Sequence, residues 1–172
     1  MEDLSRYIRD IPGFPKPGIL FKDITTLLKD RRTFKMAINQ LQEAVAGRKI
    51  DVVAGIESRG FIFGAALADR LSVGFVPIRK PGKLPAETLS ESYTLEYGEN
   101  SIEVHVDAVQ PGQSVLMVDD LLATGGTMTA ACRLIERLGG KISAILFLIE
   151  LAFLSGRGRL RDYEVITLIR YD

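Results

Sequence analysis

The chain has 172 residues, 47% hydrophobic and 26% charged, ordinary proportions for a single globular domain with a core of its own. Lysine plus arginine, 22, balances aspartate plus glutamate, 22, so the basic excess of a nucleic-acid-binding module is missing. Disorder and collagen are excluded, no apolar run reaches the ~18 residues of a membrane span, and Met1-Glu2-Asp3 leads into no apolar signal-peptide core.

Residues 4–9 are predicted to form a short helix. Residues 11–18 read I-P-G-F-P-K-P-G, hold three of the seven prolines and form an extended arm. Phe34, Ile38, Leu41 and Val45 fall on one helical face, which predicts a helix over 33–47 closed by Gly47. Residues 50–56 are β-branched and continuous, the pattern of a strand buried on both faces. A turn at 57–60, a helix over 61–71 and a strand over 74–79 complete a βαβ unit. Residues 80–92, with Pro81, Gly82 and Pro85, read as a mobile surface loop. Alternation over 93–97 and 102–106 predicts a two-stranded ribbon. A buried strand over 114–118, a loop over 119–126, a helix over 127–138 and strands over 142–149 and 164–170 follow. The fold class is α/β, an open and mostly parallel sheet flanked by helices. One domain spans 1–172. Ligands of such sheets sit at the carboxyl ends of strands, where the strand order reverses.

The segment V-L-M-V-D-D-L-L-A-T-G-G-T, residues 115–127, carries the most chemistry. An apolar strand runs into two adjacent acids, Asp119 and Asp120. A small loop and a helix start follow. Gly125 and Gly126 allow positive φ and close approach, so backbone N–H groups from Ala123 to Thr127 can turn inward. The helix N-terminus adds unpaired donors and positive partial charge, and Thr124 and Thr127 add hydroxyls. Such a cup suits a phosphate, and the acids at its lip suit hydroxyls or a cationic centre. Together they point to a sugar phosphate. Neither G-x-x-x-x-G-K-[ST] nor G-x-G-x-x-G occurs, so this is neither a P-loop nor a dinucleotide fingerprint.

The same segment resembles the phosphoribosyl-diphosphate (PRPP) motif of the type I phosphoribosyltransferases. P-G-I-L-F-K-D-I-T (17–25), E-S-R-G-F (57–61), R-K-P-G-K-L-P (79–85) and L-E-Y-G (95–98) extend the resemblance along the chain, in order, and toward the family's adenine-specific members. The resemblance implies purine salvage, with the phosphoribosyl group of PRPP passing to N9 of adenine to give AMP and pyrophosphate. It implies that Ala123, Thr124, Gly125, Gly126 and Thr127 bind the 5′-phosphate and that Asp119 and Asp120 bind the ribose hydroxyls. Ser58, Arg59, Arg79, Lys80 and Lys83 would hold the pyrophosphate, with a non-proline cis peptide joining Ser58 and Arg59. Phe21 would stack on adenine, the backbone of Leu20 and Lys22 would read its edge, and Leu151 would floor it. Residues 1–30 would form a small hood over the base, and the ribbon a mobile lid.

Six-oxopurine relatives place an acid where this chain has Ala123, so proton handling falls to Glu96, with Tyr97 beside it on the lid. Magnesium is the implied ion, carried mainly by PRPP with no direct side-chain ligands. The single cysteine, Cys132, cannot make an internal disulfide and fits a reducing cytoplasm, and the resemblance implies a homodimer, with no nucleic-acid or membrane partner. A PRPP-sensing regulator on the same fold would append a nucleic-acid-binding part, for which length and charge leave no room. Cys132 reads as a buried structural thiol and His105 as water-facing. Ala86 stands where the adenine members often have glycine. Residues 156–162, G-R-G-R-L-R-D, carry no readable role.

Overall fold

The computed structural model describes residues 2–94 and 99–172. Its frame is a five-stranded sheet, built from β3 (Val52–Ile56), β4 (Gly74–Ile78), β7 (Ser114–Leu122), β8 (Lys141–Leu151) and β9 (Val165–Tyr171). The strands are all parallel and run in the order β4-β3-β7-β8-β9. The order reverses between β3 and β7, which opens a crevice at their carboxyl ends.

Successive side chains of a strand point to opposite faces, and here both faces are covered. Val115 and Met117 of β7 join Ile135 and Leu134 of α4 (Gly126–Arg137) in one core. Leu116 and Val118 join Phe63 and Leu67 of α3 (Arg59–Leu71) and Leu41 of α2 (Arg31–Ala44) in the other. This two-sided burial is why these strands read as unbroken apolar runs, and the expected α/β class stands.

Several boundaries differ from expectation. The first helix is a single 3-10 turn at Leu4–Tyr7, and the proline-rich arm begins as β1 (Arg9–Pro12). It pairs antiparallel with β2 (Leu20–Asp23) in a separate two-stranded sheet. A short helix, α1 (Thr25–Lys29), has no clear periodic signal in sequence. Helix α2 starts two residues early because the Asp30 side chain caps it, accepting from the Thr33 N–H at 2.8 Å. The ribbon also starts early: β5 (Thr88–Thr94) pairs antiparallel with β6 (Glu99–His105), taking five residues from the expected loop.

Candidate active site

The crevice between β3 and β7 holds a cavity of about 350 Å³ lined by Ser58, Arg59, Lys80, Asp119, Asp120 and Thr127, among others. Strand β7 runs on to Leu122, so both acids stand on the strand and not in the loop expected from sequence. Pairing with β8 continues past them at Leu121–Ile149 and Leu122–Glu150, which fixes their backbone. Asp119 Oδ1 accepts the Asp120 N–H at 2.8 Å. Gly60, in the first turn of α3, lets that helix approach: a Cβ there would lie 2.8 Å from Asp119 Oδ1.

Asp120 is buried, and Arg59 Nε lies 2.9 Å from its Oδ2. That contact is an ion pair by distance only. No N–H points along it, so Oδ2 remains a buried acceptor without a hydrogen bond. Burial and the neighbouring Asp120 carboxylate push the Asp119 pKa well above the usual carboxylate range. Burial also raises Asp120, and the Arg59 guanidinium opposes it. Two acids kept reluctant to ionise, facing a cavity, are a pattern of functional sites.

Beside them residues 123–127 form a second, smaller hollow of about 80 Å³ that shares Thr127 with the first. Gly125 takes φ +81° as the cap residue of α4, and no side chain caps that helix. The Gly125 carbonyl accepts from the Thr129 N–H at 3.0 Å and its hydroxyl at 2.9 Å, tightening the turn from below. The first-turn N–H groups are left facing the hollow without a capping side chain.

The cations divide. Arg79 donates to Glu57 from Nε and Nη2, each at 3.1 Å, and from Nη1 to the Lys83 carbonyl at 3.2 Å. The Arg79 bond also holds the Glu57 pKa below its usual value. Lys80 lines the cavity, whereas Lys83 is exposed and does not. The non-proline cis peptide lies between Glu57 and Ser58, one bond earlier than expected.

On the hood side, the Phe21 ring lies 5.4 Å from the Arg59 guanidinium carbon and edge-on to Phe14 at 5.2 Å. Leu20 is exposed. Lys22 is buried: its Nζ donates to Asp10 at 2.7 Å and sits 3.8 Å from the Tyr171 ring centroid, leaving its backbone as the readable part. Leu151 ends β8, half-buried among apolar neighbours. Glu96 and Tyr97 lie outside the described residues.

Cys132 is buried, and burial pushes its thiol pKa up to about 12. His105 is half-buried, its Nε2 accepting the Ala86 N–H at 3.3 Å, where a water-facing ring was expected. A hollow of about 490 Å³ lies elsewhere, along Arg6, Arg9 and Arg32. These arginines already pair with Asp3, Asp23 and Glu2. Sequence reading missed Glu57, Gly60 and the pair Glu150–Arg157. Only the E-S-R-G run held a signal, an acid and a glycine flanking the arginine.

A parallel sheet with a phosphate-sized backbone cup and two acids at its switch point, Asp120 buried and Asp119 half-buried, defines a binder of sugar phosphates. The phosphoribosyl transferase domain family matches residues 25–169. An adenine phosphoribosyltransferase of Caldanaerobacter subterraneus is 58% identical over 171 residues, covering 99% of each chain. The crystal structure of adenine phosphoribosyltransferase from Thermoanaerobacter pseudethanolicus superposes with a TM-score of 0.96 at 58% identity, covering 98% of both chains. The Saccharomyces cerevisiae enzyme, complexed with adenine and an imino-altritol bisphosphate, gives 0.91 at 42% identity over 96% of each. The chain belongs to the phosphoribosyltransferase family and, within it, to the adenine phosphoribosyltransferases.

Proposed function

We propose that residues 123–127 hold the 5′-phosphate of PRPP, that Asp119 and Asp120 face its ribose, and that the phosphoribosyl group passes to adenine. The bond from ribose C1 to the diphosphate oxygen breaks and a bond from C1 to N9 forms, giving AMP and pyrophosphate. One observation carries the reading: the 123–127 cup and the two adjacent acids, Asp119 and Asp120, share Thr127 and one crevice at the switch point of the sheet.

Positive charge grows on the ribose as the diphosphate leaves. Asp119 and Asp120, fixed by strand pairing, stabilise that charge without reorganising, and losing one such group typically costs ~10²–10³ in rate. Ser58, Arg59, Arg79, Lys80 and Lys83 receive the diphosphate. Arg59 and Lys80 already line the cavity. Phe21 stacks on the base, the backbone of Leu20 and Lys22 reads its amino edge, and Leu151 closes the floor. A backbone carbonyl that accepts from the 6-amino group would face another acceptor in a 6-oxopurine, which rejects it. Glu96 handles the base proton and Tyr97 closes over it on the lid.

Magnesium enters with PRPP. Among the described residues no three His, Cys, Asp or Glu side chains gather into a metal cluster. The orphaned Asp120 Oδ2 fits a ligand hydroxyl or a water of a hydrated ion. When bound, the ion neutralises the departing diphosphate. The resemblance to the adenine phosphoribosyltransferases supports a homodimer, and Lys83, exposed and off the cavity lining, leaves room for a second copy to complete the diphosphate site. The lone buried cysteine suits a reducing cytoplasm. Residues 1–30 act as the hood over the base.

The deciding assay offers PRPP and magnesium with adenine, hypoxanthine, guanine, xanthine or orotate and follows product. Adenine alone should give rapid turnover, and hypoxanthine used at a rate rivalling adenine would refute the base assignment.

A further inference from the structure

Behind the cup lies a segment with no part in the chemistry described above. Ser155 takes a left-handed turn, φ 54°, into Gly156, which opens a 3-10 turn at Gly156–Arg159. The Gly156 backbone is pressed against the cup. A Cβ on Gly125 would lie 2.6 Å from the Gly156 carbonyl oxygen, and a Cβ on Gly156 would fall far inside van der Waals contact with the Ala123 carbonyl oxygen. Two bare backbones touch there, and neither side has room for a side chain.

The next residue anchors this contact. Arg157 donates to the Glu150 carboxylate from Nε at 3.0 Å and from Nη2 at 2.6 Å. The Thr167 hydroxyl adds a third bond to that carboxylate at 3.0 Å, and Arg157 Nη1 donates to the Val165 carbonyl at 2.8 Å. Glu150 is 3% exposed and pairs across the sheet with Leu122, the residue just before the cup. Leu160 seals the segment from below, buried in the core. Arg157 itself is exposed, but its two-pronged grip on a buried carboxylate fixes geometry more tightly than a single-bonded surface ion pair.

We propose that Gly156 is the seat of the 123–127 cup and that Arg157 and Glu150 are positioning residues, clamping the seat so that the backbone donors stay aimed at the phosphate end of the substrate. The inference rests on the reading that this cup binds the 5′-phosphate. It predicts damage confined to ligands that carry that group.

The test measures kcat, the KM for PRPP, and the affinities for ribose 5-phosphate, pyrophosphate and adenine. The variants are Gly156→Ala, Arg157→Ala, Arg157→Lys and Glu150→Gln, with Thr127→Ala as a probe of the cup itself. Melting temperature reports folding. Gly156→Ala and Arg157→Ala should raise the PRPP KM about 10-fold or more, and weaken ribose 5-phosphate alike, with kcat within about 3-fold and pyrophosphate and adenine binding unchanged. Arg157→Lys, keeping charge but losing the fork, should fall between wild type and Arg157→Ala. Should Arg157→Ala fail to fold, Glu150→Gln and Arg157→Lys carry the same prediction more weakly. An unchanged PRPP KM in folded variants overturns the seat. So does an equal loss for all four ligands, which would mark a merely structural role. If Thr127→Ala also leaves ribose 5-phosphate binding intact, the assignment of the cup falls. If Thr127→Ala weakens it while the clamp variants do not, only the seat falls.

Discussion

Replacing Asp119 by asparagine should abolish most activity and stabilise the fold at once. The side chain keeps its shape, and Oδ1 can still accept the 2.8 Å bond from the Asp120 N–H. What disappears is a negative charge held beside a second carboxylate, where burial and Asp120 together push the pKa well up. Two unit charges 4 Å apart repel by about 4 kcal/mol at an effective dielectric near 20. Arg59, 2.9 Å from Asp120, and water in the open cavity offset much of this. About 1–2 kcal/mol should remain as net gain. At roughly 2–4 °C per kcal/mol for a chain of this size, the melting temperature should rise by about 2–8 °C at pH near 8.

The pH dependence gives the sharper check. A carboxyl whose folded pKa lies above its ordinary 3.8 favours folding while protonated, and that stability is lost as pH rises through the folded value. Asparagine mimics the protonated acid, so the gain should be small near pH 4 and larger near pH 8. Melting curves at both pH values, run beside an AMP-formation assay, measure everything needed. AMP formation should fall ~10²–10³-fold. A variant that melts at or below wild type near pH 8, or gains equally at both pH values, would refute the electrostatic account of the acids.

Three other perturbations probe separate parts of the molecule. Gly60→Ala places a methyl 2.8 Å from Asp119 Oδ1 and 3.0 Å from the Val118 carbonyl, so kcat should drop at least about tenfold while circular dichroism stays native. Asp23 is held at a pKa of about 2 by the Thr25 N–H and by Arg9, so it stabilises the fold above its ordinary 3.8 and loses this as pH falls through about 2. Asp23→Asn should therefore lower the melting temperature at neutral pH, and the difference should close below pH of about 2. Cys132, buried with a thiol pKa of about 12, should resist alkylation near pH 8 in the native protein and react at once in denaturant; rapid native labelling would contradict its burial.

The elements that could be read from sequence are those whose signal is local. The strands of the central sheet declared themselves because both their faces are buried, and α2 and α4 because their apolar residues repeat at helical spacing. The Asp119–Thr127 segment was legible for another reason: acids, threonines and glycines crowd into nine residues at a strand end. What stayed hidden is set by partners distant in the chain. The extent of β7 through Asp120 is decided by pairing with β8, which overrides the polar character of the two acids. Glycine at 60 and 156 answers to Asp119 and Ala123, contacts that no window around either glycine contains. Arg157 looks like one charge in a basic run until the sheet brings Glu150 and Thr167 to it.

The charged groups of the site already pair with one another before substrate arrives, although Asp120 Oδ2 keeps no hydrogen bond. Arg59 rests against Asp120 beside the Phe21 ring, and Arg79 is forked onto Glu57. In the proposed reaction both arginines turn toward a diphosphate, so binding exchanges one set of partners for another and the net gain per arginine is small. The exchange still has a direction. Moving Arg59 off Asp120 removes the cation that holds down an acid already raised by burial, and both acids then want a new positive neighbour. In the proposed reaction the cationic ribose would supply it. The pair of acids is therefore least comfortable once Arg59 has turned away and most favoured as charge develops on C1, which is the differential stabilisation that catalysis requires. That same asymmetry is why removing a charge at Asp119 should stabilise the empty enzyme and cost it the reaction.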